Sequence, residues 1–81
     1  MDKNILFNNI NKIHTTQLGE KRIIQNLKLT EWNVVKYCKT KILSQNTSIY
    51  KRWKNYYCSD KNIIITINAY SYTIITAHII Q

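Results

Sequence analysis

Eighty-one residues carry 12 Lys and Arg against 4 Asp and Glu, a formal net charge of +8, with 44% hydrophobic residues. That length gives one domain, 1–81, with a modest core, and the hydrophobic content argues against disorder. The charge points to a polyanionic partner, nucleic acid above all or else an acidic protein surface, through phosphate neutralisation and counterion release.

Glycine occurs once and proline never, so turns are expected to rely on Asn, Asp and Ser. The N-terminus, Met1-Asp2-Lys3-Asn4, precedes only a short apolar run. It reads as neither a signal peptide nor a membrane span. Cys38 and Cys58 form no C-x-x-C, and no zinc pattern with His14 and His78. They are expected as two reduced thiols in a cytoplasmic protein.

The first helix is expected from Asp2 to about His14, with Leu6, Ile10 and Ile13 at helical spacing and Ile5 beside them. Thr15 and Thr16 break that pattern, and either can cap the next helix. The second helix is expected from about Gln17 to Lys28, with Leu18, Ile24 and Leu27 inward and Ile23 adjacent. Lys21, Arg22 and Lys28 take its polar side, and Glu20 suits its first turn. Thr30 is the expected cap of a third helix, about Glu31 to Ser44. Val34, Val35, Cys38 and Ile42 form its buried stripe, and Lys36, Lys39 and Lys41 its basic face.

From Thr47 the period changes to that of strands. Ser48 to Arg52 and Asn55 to Ser59 are rich in Ile and Tyr. Trp53-Lys54 either turns them into a hairpin or lies within one bent strand. Ser59-Asp60-Lys61-Asn62 reads as a turn. The stretch from Asn62 to Gln81 then reads as a hairpin with Ala69, Tyr70 and Ser71 as its loop. That register places Ile64 opposite Thr76 and Asn62 opposite His78. One face then carries Ile63, Ile65, Ile67, Thr73, Ile75, Ala77 and Ile79. The other carries Asn62, Thr66, Asn68, Tyr72, Thr76 and His78, with Ile64, Ile74 and Ile80 among them. The expected fold is α+β, three N-terminal helices (about 2–44) packed on one face of a three- or four-stranded antiparallel sheet (about 47–80).

The segment Ile49-Tyr50-Lys51-Arg52-Trp53-Lys54-Asn55-Tyr56-Tyr57 mixes cations with aromatics. Cations hold phosphates and aromatic faces stack bases, so Lys51, Arg52, Trp53, Lys54 and Tyr56 are candidate RNA contacts, with Arg22 in support. His78 is the sharpest candidate acid or base. Thr76 would orient substrate, Lys51 would hold phosphate, and His14 would complete a histidine pair. The alternative for each histidine is structural: a sheet-edge residue for His78, a helix-end residue for His14. The four acids have no metal-ligand spacing, and one glycine cannot build a phosphate loop, so no metal or cofactor is expected.

The run Thr66-Ile67-Asn68-Ala69-Tyr70-Ser71-Tyr72-Thr73-Ile74-Ile75-Thr76-Ala77-His78 resembles the close of a small, uncharacterised bacterial domain family. Asn11-Lys12-Ile13-His14-Thr15-Thr16, Leu18-Gly19, Arg22-Ile23, Val34-Val35, Cys38-Lys39 and Lys54-Asn55-Tyr56-Tyr57 resemble earlier parts of the same domain. The likeness spans nearly the whole chain and implies no activity. Members carry glycine where this chain has Trp53. More distantly, the element order and Thr76-Ala77-His78 resemble metal-independent ribonuclease toxins of the barnase, EndoU, colicin and RelE group. That likeness implies RNA cleavage through the ribose 2′-hydroxyl. The chain is therefore expected to be a basic RNA-acting protein, either a metal-independent ribonuclease or a binding module such as an inhibitor of a nucleic-acid enzyme. A homodimer is the remaining alternative, through the mixed sheet face.

Overall fold

The computed structural model describes residues 2–30 and 33–80. The order is α1 (Asp2–Asn8), a 3₁₀ turn (Ile10–Lys12), α2 (Gln17–Leu27), α3 (Val34–Ile42), β1 (Ser48–Arg52), β2 (Asn55–Asp60), β3 (Ile63–Asn68) and β4 (Ile74–Ile79). The fold is α+β, with N-terminal helices and a four-stranded antiparallel sheet in the order β1-β2-β3-β4.

The first helix is shorter than its periodicity predicts, ending at Asn8 rather than near His14. The Asn9 amide donates back to the Ile5 carbonyl at 2.8 Å. Such local side-chain bonds compete with continued helix, and the chain tightens into the 3₁₀ turn. Ile5, expected beside the apolar stripe, and Leu18, expected inward, are 47% and 58% exposed. Leu6, Ile13, Ile23 and Leu27 carry the burial instead.

Thr16 caps α2, its hydroxyl accepting from the Gly19 amide at 3.0 Å. Thr15 turns the other way and donates to the Ile74 carbonyl at 3.1 Å. A Cβ on Gly19 would overlap the Thr15 hydroxyl, so glycine is required by close approach rather than by its dihedrals. The cap of α3 is Asn33, accepting from the Lys36 amide at 3.0 Å, and not Thr30. The expected start of that helix at Glu31 lies outside the described residues, as does Gln81 in the expected final hairpin. The helix ends at Ile42, two residues short of Ser44. Its basic face is partly answered: Lys41 lies 3.8 Å from Asp60.

Trp53 and Lys54 form a two-residue hairpin loop, with Arg52 paired to Asn55. Only Lys61 and Asn62 separate β2 from β3, since Asp60 pairs with Ile63. The third hairpin departs most from expectation. Asn68 N–H donates to the Thr73 carbonyl and Tyr72 N–H to the Asn68 carbonyl, both at 2.9 Å. The loop is therefore Ala69–Tyr72, one residue longer than expected. The extra residue brings Ile74 opposite Ile67. A bulge at Ile75 then shifts the register again, so Thr66 meets Thr76 and Ile64 meets His78. Ile74 is consequently buried and Ile75 is 47% exposed, the reverse of the expected faces. Beyond the bulge Ala77 and Ile79 are inward and His78 outward, as the alternation predicts.

One core joins both halves of the chain. Leu6, Ile13, Ile23, Leu27, Val34, Cys38 and Ile42 cluster with Tyr56, Cys58, Ile65, Ile67, Ile74 and Ala77. Cys38 and Cys58 are free thiols within it. Burial pushes both up to about 12, and in Cys58 the neighbouring Cys38 adds to the effect. They are protonated and unreactive near neutrality.

Candidate functional site

Residues directly opposite in an antiparallel pair share a face. Tyr56 and Cys58 are core, so Asn55, Tyr57 and Ser59 belong to the opposite face of the sheet. The pairing carries two rows across that face. One is Arg52, Asn55 and Asn68. The next is Tyr50, Tyr57, Thr66 and Thr76. Tyr50 and Tyr57 stack, with ring centroids 5.4 Å apart.

At the end of the sheet nearest the β1–β2 loop these rows border a concavity of ≈ 540 Å³. Arg52, Trp53, Lys54, Asn55, Tyr57 and Asn68 line it. Its exposed rim is Arg52, Trp53 and Lys54, and its half-buried floor is Asn55, Tyr57 and Asn68. Trp53 is 92% exposed. The Ala69 amide donates to the Lys54 carbonyl at 2.7 Å, which ties the β1–β2 loop to the β3–β4 loop.

Three of the six candidate RNA contacts meet here: Arg52, Trp53 and Lys54. Tyr56 does not, because its ring is only 3% exposed and packs at 6.5 Å from the Tyr72 ring. Lys51 pairs with Tyr56, so it takes the other face, where its ammonium lies 5.7 Å from the centre of the Tyr70 ring. Arg22 is exposed on α2. The concavity also recruits Asn55 and Tyr57, which lie in the cation–aromatic segment but were not assigned individual contacts, and Asn68, which lies outside it. Alternation from buried Tyr56 would have placed Tyr57, but the Asn55–Asn68 pairing depends on long-range register.

The candidate catalytic residues are spread out. His78 is exposed opposite Ile64, and Thr76 is half-buried opposite Thr66. His14 forms an isolated parallel bridge with Thr73 at the other end of β4. At about 3.3 Å per strand residue, the two histidines are separated by roughly 15 Å along the strand. They form no pair.

His14 has a different set of partners. Its amide donates to the Tyr72 carbonyl at 3.1 Å, and its carbonyl accepts from the Ile74 amide at 2.7 Å. Its Nδ1 lies 2.8 Å from the Lys12 carbonyl and its Nε2 3.1 Å from Thr73 Oγ1. A carbonyl only accepts, so the neutral ring carries its proton on Nδ1 and Nε2 accepts from Thr73. Ser71 Oγ lies 2.8 Å from the same hydroxyl. The arrangement anchors the strand edge.

Among the described residues no cluster of His, Cys, Asp and Glu could hold a metal ion, and no helix is long and apolar enough to cross a membrane. No curated protein and no solved structure matches the chain. The expected likeness to a small uncharacterised domain does have a counterpart: residues 7–78 match a family model, and the chain belongs to the family of proteins of unknown function DUF3781.

Proposed function

We propose that this protein is a nucleic-acid-binding module that takes single-stranded RNA into the concavity beside the β1–β2 loop. The observation carrying this reading is that Arg52, Trp53 and Lys54 line one depression with Tyr57. Cations there neutralise phosphates while exposed rings stack on bases. A net charge of +8 supplies the long-range attraction. In the same reading the three helices cover the sheet face bearing Tyr56, Cys58, Ile65, Ile67 and Ala77, and the opposite face is left for the partner.

Binding is favoured over cleavage because His78, Thr76, Lys51 and His14 do not converge. General acid–base work requires groups within hydrogen-bond reach of one reacting bond. An RNA-cleaving reading would need a site other than these four together.

The test is fluorescence anisotropy with a labelled single-stranded oligouridine across a salt series. We expect binding without turnover. An Arg52→Ala/Lys54→Ala variant should lose affinity, and its log–log salt slope should flatten by about 1.4, two phosphate contacts at about 0.7 each. Absence of binding at low salt, or an unchanged slope in the variant, would remove the proposal.

A further inference from the structure

Resting on that reading, we infer that the floor of the concavity selects the base it receives, through a paired acceptor and donor supplied by Asn55 and Asn68. The two residues face each other directly across β2 and β3, and both line the depression. The orientation of the Asn68 amide follows from its other bonds. Asn68 Oδ1 accepts from the Tyr70 and Ser71 amides, each at 2.9 Å. Both are backbone N–H donors, so that atom is the oxygen and Nδ2 is turned away from them. Asn55 Nδ2 donates to the Tyr57 hydroxyl at 3.4 Å, and Asn55 Oδ1 is that amide's remaining acceptor.

A splayed-out base entering here meets one acceptor and one donor on adjacent strands. Single-stranded RNA is read by such contacts to base edges, while phosphate contacts carry no sequence information. The rim residues Arg52 and Lys54 would hold any strand. The amide pair would discriminate.

Asn68→Asp gives a directional test. The carboxylate keeps an oxygen for the Tyr70 and Ser71 amides but replaces the donor with an acceptor. The floor then presents two acceptors, which match the adjacent N1–H and N2–H₂ donors of guanine. The probes are oligoribonucleotides of abasic spacers with one central A, C, G or U, titrated by anisotropy. Wild type should bind the four unequally. Asn68→Asp should bind all more weakly, because it adds a negative charge, but its guanine-to-adenine affinity ratio should rise about tenfold, within the range of a good bidentate contact. Asn55→Ala should narrow the differences among the four probes and leave the salt slope unchanged. Equal binding of the four probes by wild type would overturn the inference and leave the binding function intact. So would a uniform loss across all four in Asn68→Asp together with an unaltered ranking in Asn55→Ala. Failure of wild type to bind any RNA would overturn both.

Discussion

Lys28, Trp53, Lys61 and Tyr72 hold φ at 55°, 63°, 49° and 60°, a region in which a side chain is crowded by the backbone. The sole glycine is spent inside α2, so the turns take up this strain with lysine and aromatic residues. Trp53 is the most informative of them, because its ring is 92% exposed and little packing repays the conformation. Replacing it with glycine removes a backbone cost of about 1–2 kcal/mol and returns part of it as unfolded-state entropy. Trp53→Gly is therefore expected to stabilise the fold by about 0.5–1 kcal/mol, raising the melting temperature by a few degrees. The same change should weaken RNA binding by about 1–3 kcal/mol, the worth of one stacked base. Thermal melting and an RNA titration of one preparation check both signs. A lower melting temperature would mean that the indole packs on the fold. At this scale the sequence was legible for residues whose role is local. A threonine cap at Thr15 or Thr16 and the Arg52-Trp53-Lys54 cluster were both readable from neighbours. Asn, Asp and Ser were expected to make the turns, and the left-handed positions fell instead to residues whose propensity argues against them.

The elements show where local patterns give way to tertiary contacts. Helical spacing over Leu6, Ile10 and Ile13 suggested one helix to His14. A local Asn9 side-chain bond closes the helix at Asn8, and at His14 the chain instead pairs with a residue nearly sixty positions away: His14 lies against Thr73 as a one-residue extension of the sheet. No window of sequence contains that bridge. The same holds for β4, where the four-residue loop and the bulge at Ile75 exchange the exposures expected of Ile74 and Ile75. The alternation of Ile63, Ile65 and Ile67 was sufficient for β3, which has a neighbour on both sides and no irregularity before Thr66. The His14 anchor can be weighed directly. Thr73→Val keeps the shape of the side chain and removes the hydroxyl shared by His14 Nε2 and Ser71 Oγ. Because the site is exposed, water replaces part of the loss, and the expected cost is about 0.5–1 kcal/mol. Amide exchange should accelerate at His14 and Ile74, whose backbone bonds close the bridge, with little change in β2. Unaltered protection at both amides would mean that the backbone pairing holds without the imidazole–hydroxyl contact.

For the molecule as a whole, charge acts in two opposed directions. A net charge of +8 repels itself in the compact state, and among the described residues the half-buried Lys41–Asp60 pair, at 3.8 Å, offsets little of it. Added salt screens that repulsion over a Debye length of about 10 Å at 0.1 M, so thermal stability should rise with salt. The partner reading predicts the reverse for affinity. Each phosphate neutralised by Arg52, Lys54 or another cation releases counterions, and log affinity should fall by about 0.7 per contact for each tenfold rise in salt. Melting and anisotropy measured over one sodium chloride series separate these effects. Stability and RNA affinity should cross, the first climbing while the second drops. An affinity that stayed flat while stability climbed would mean that contact is carried by Trp53 and the tyrosines without phosphates. The concavity would then belong to an apolar or protein ligand, and the basic charge would serve solubility alone.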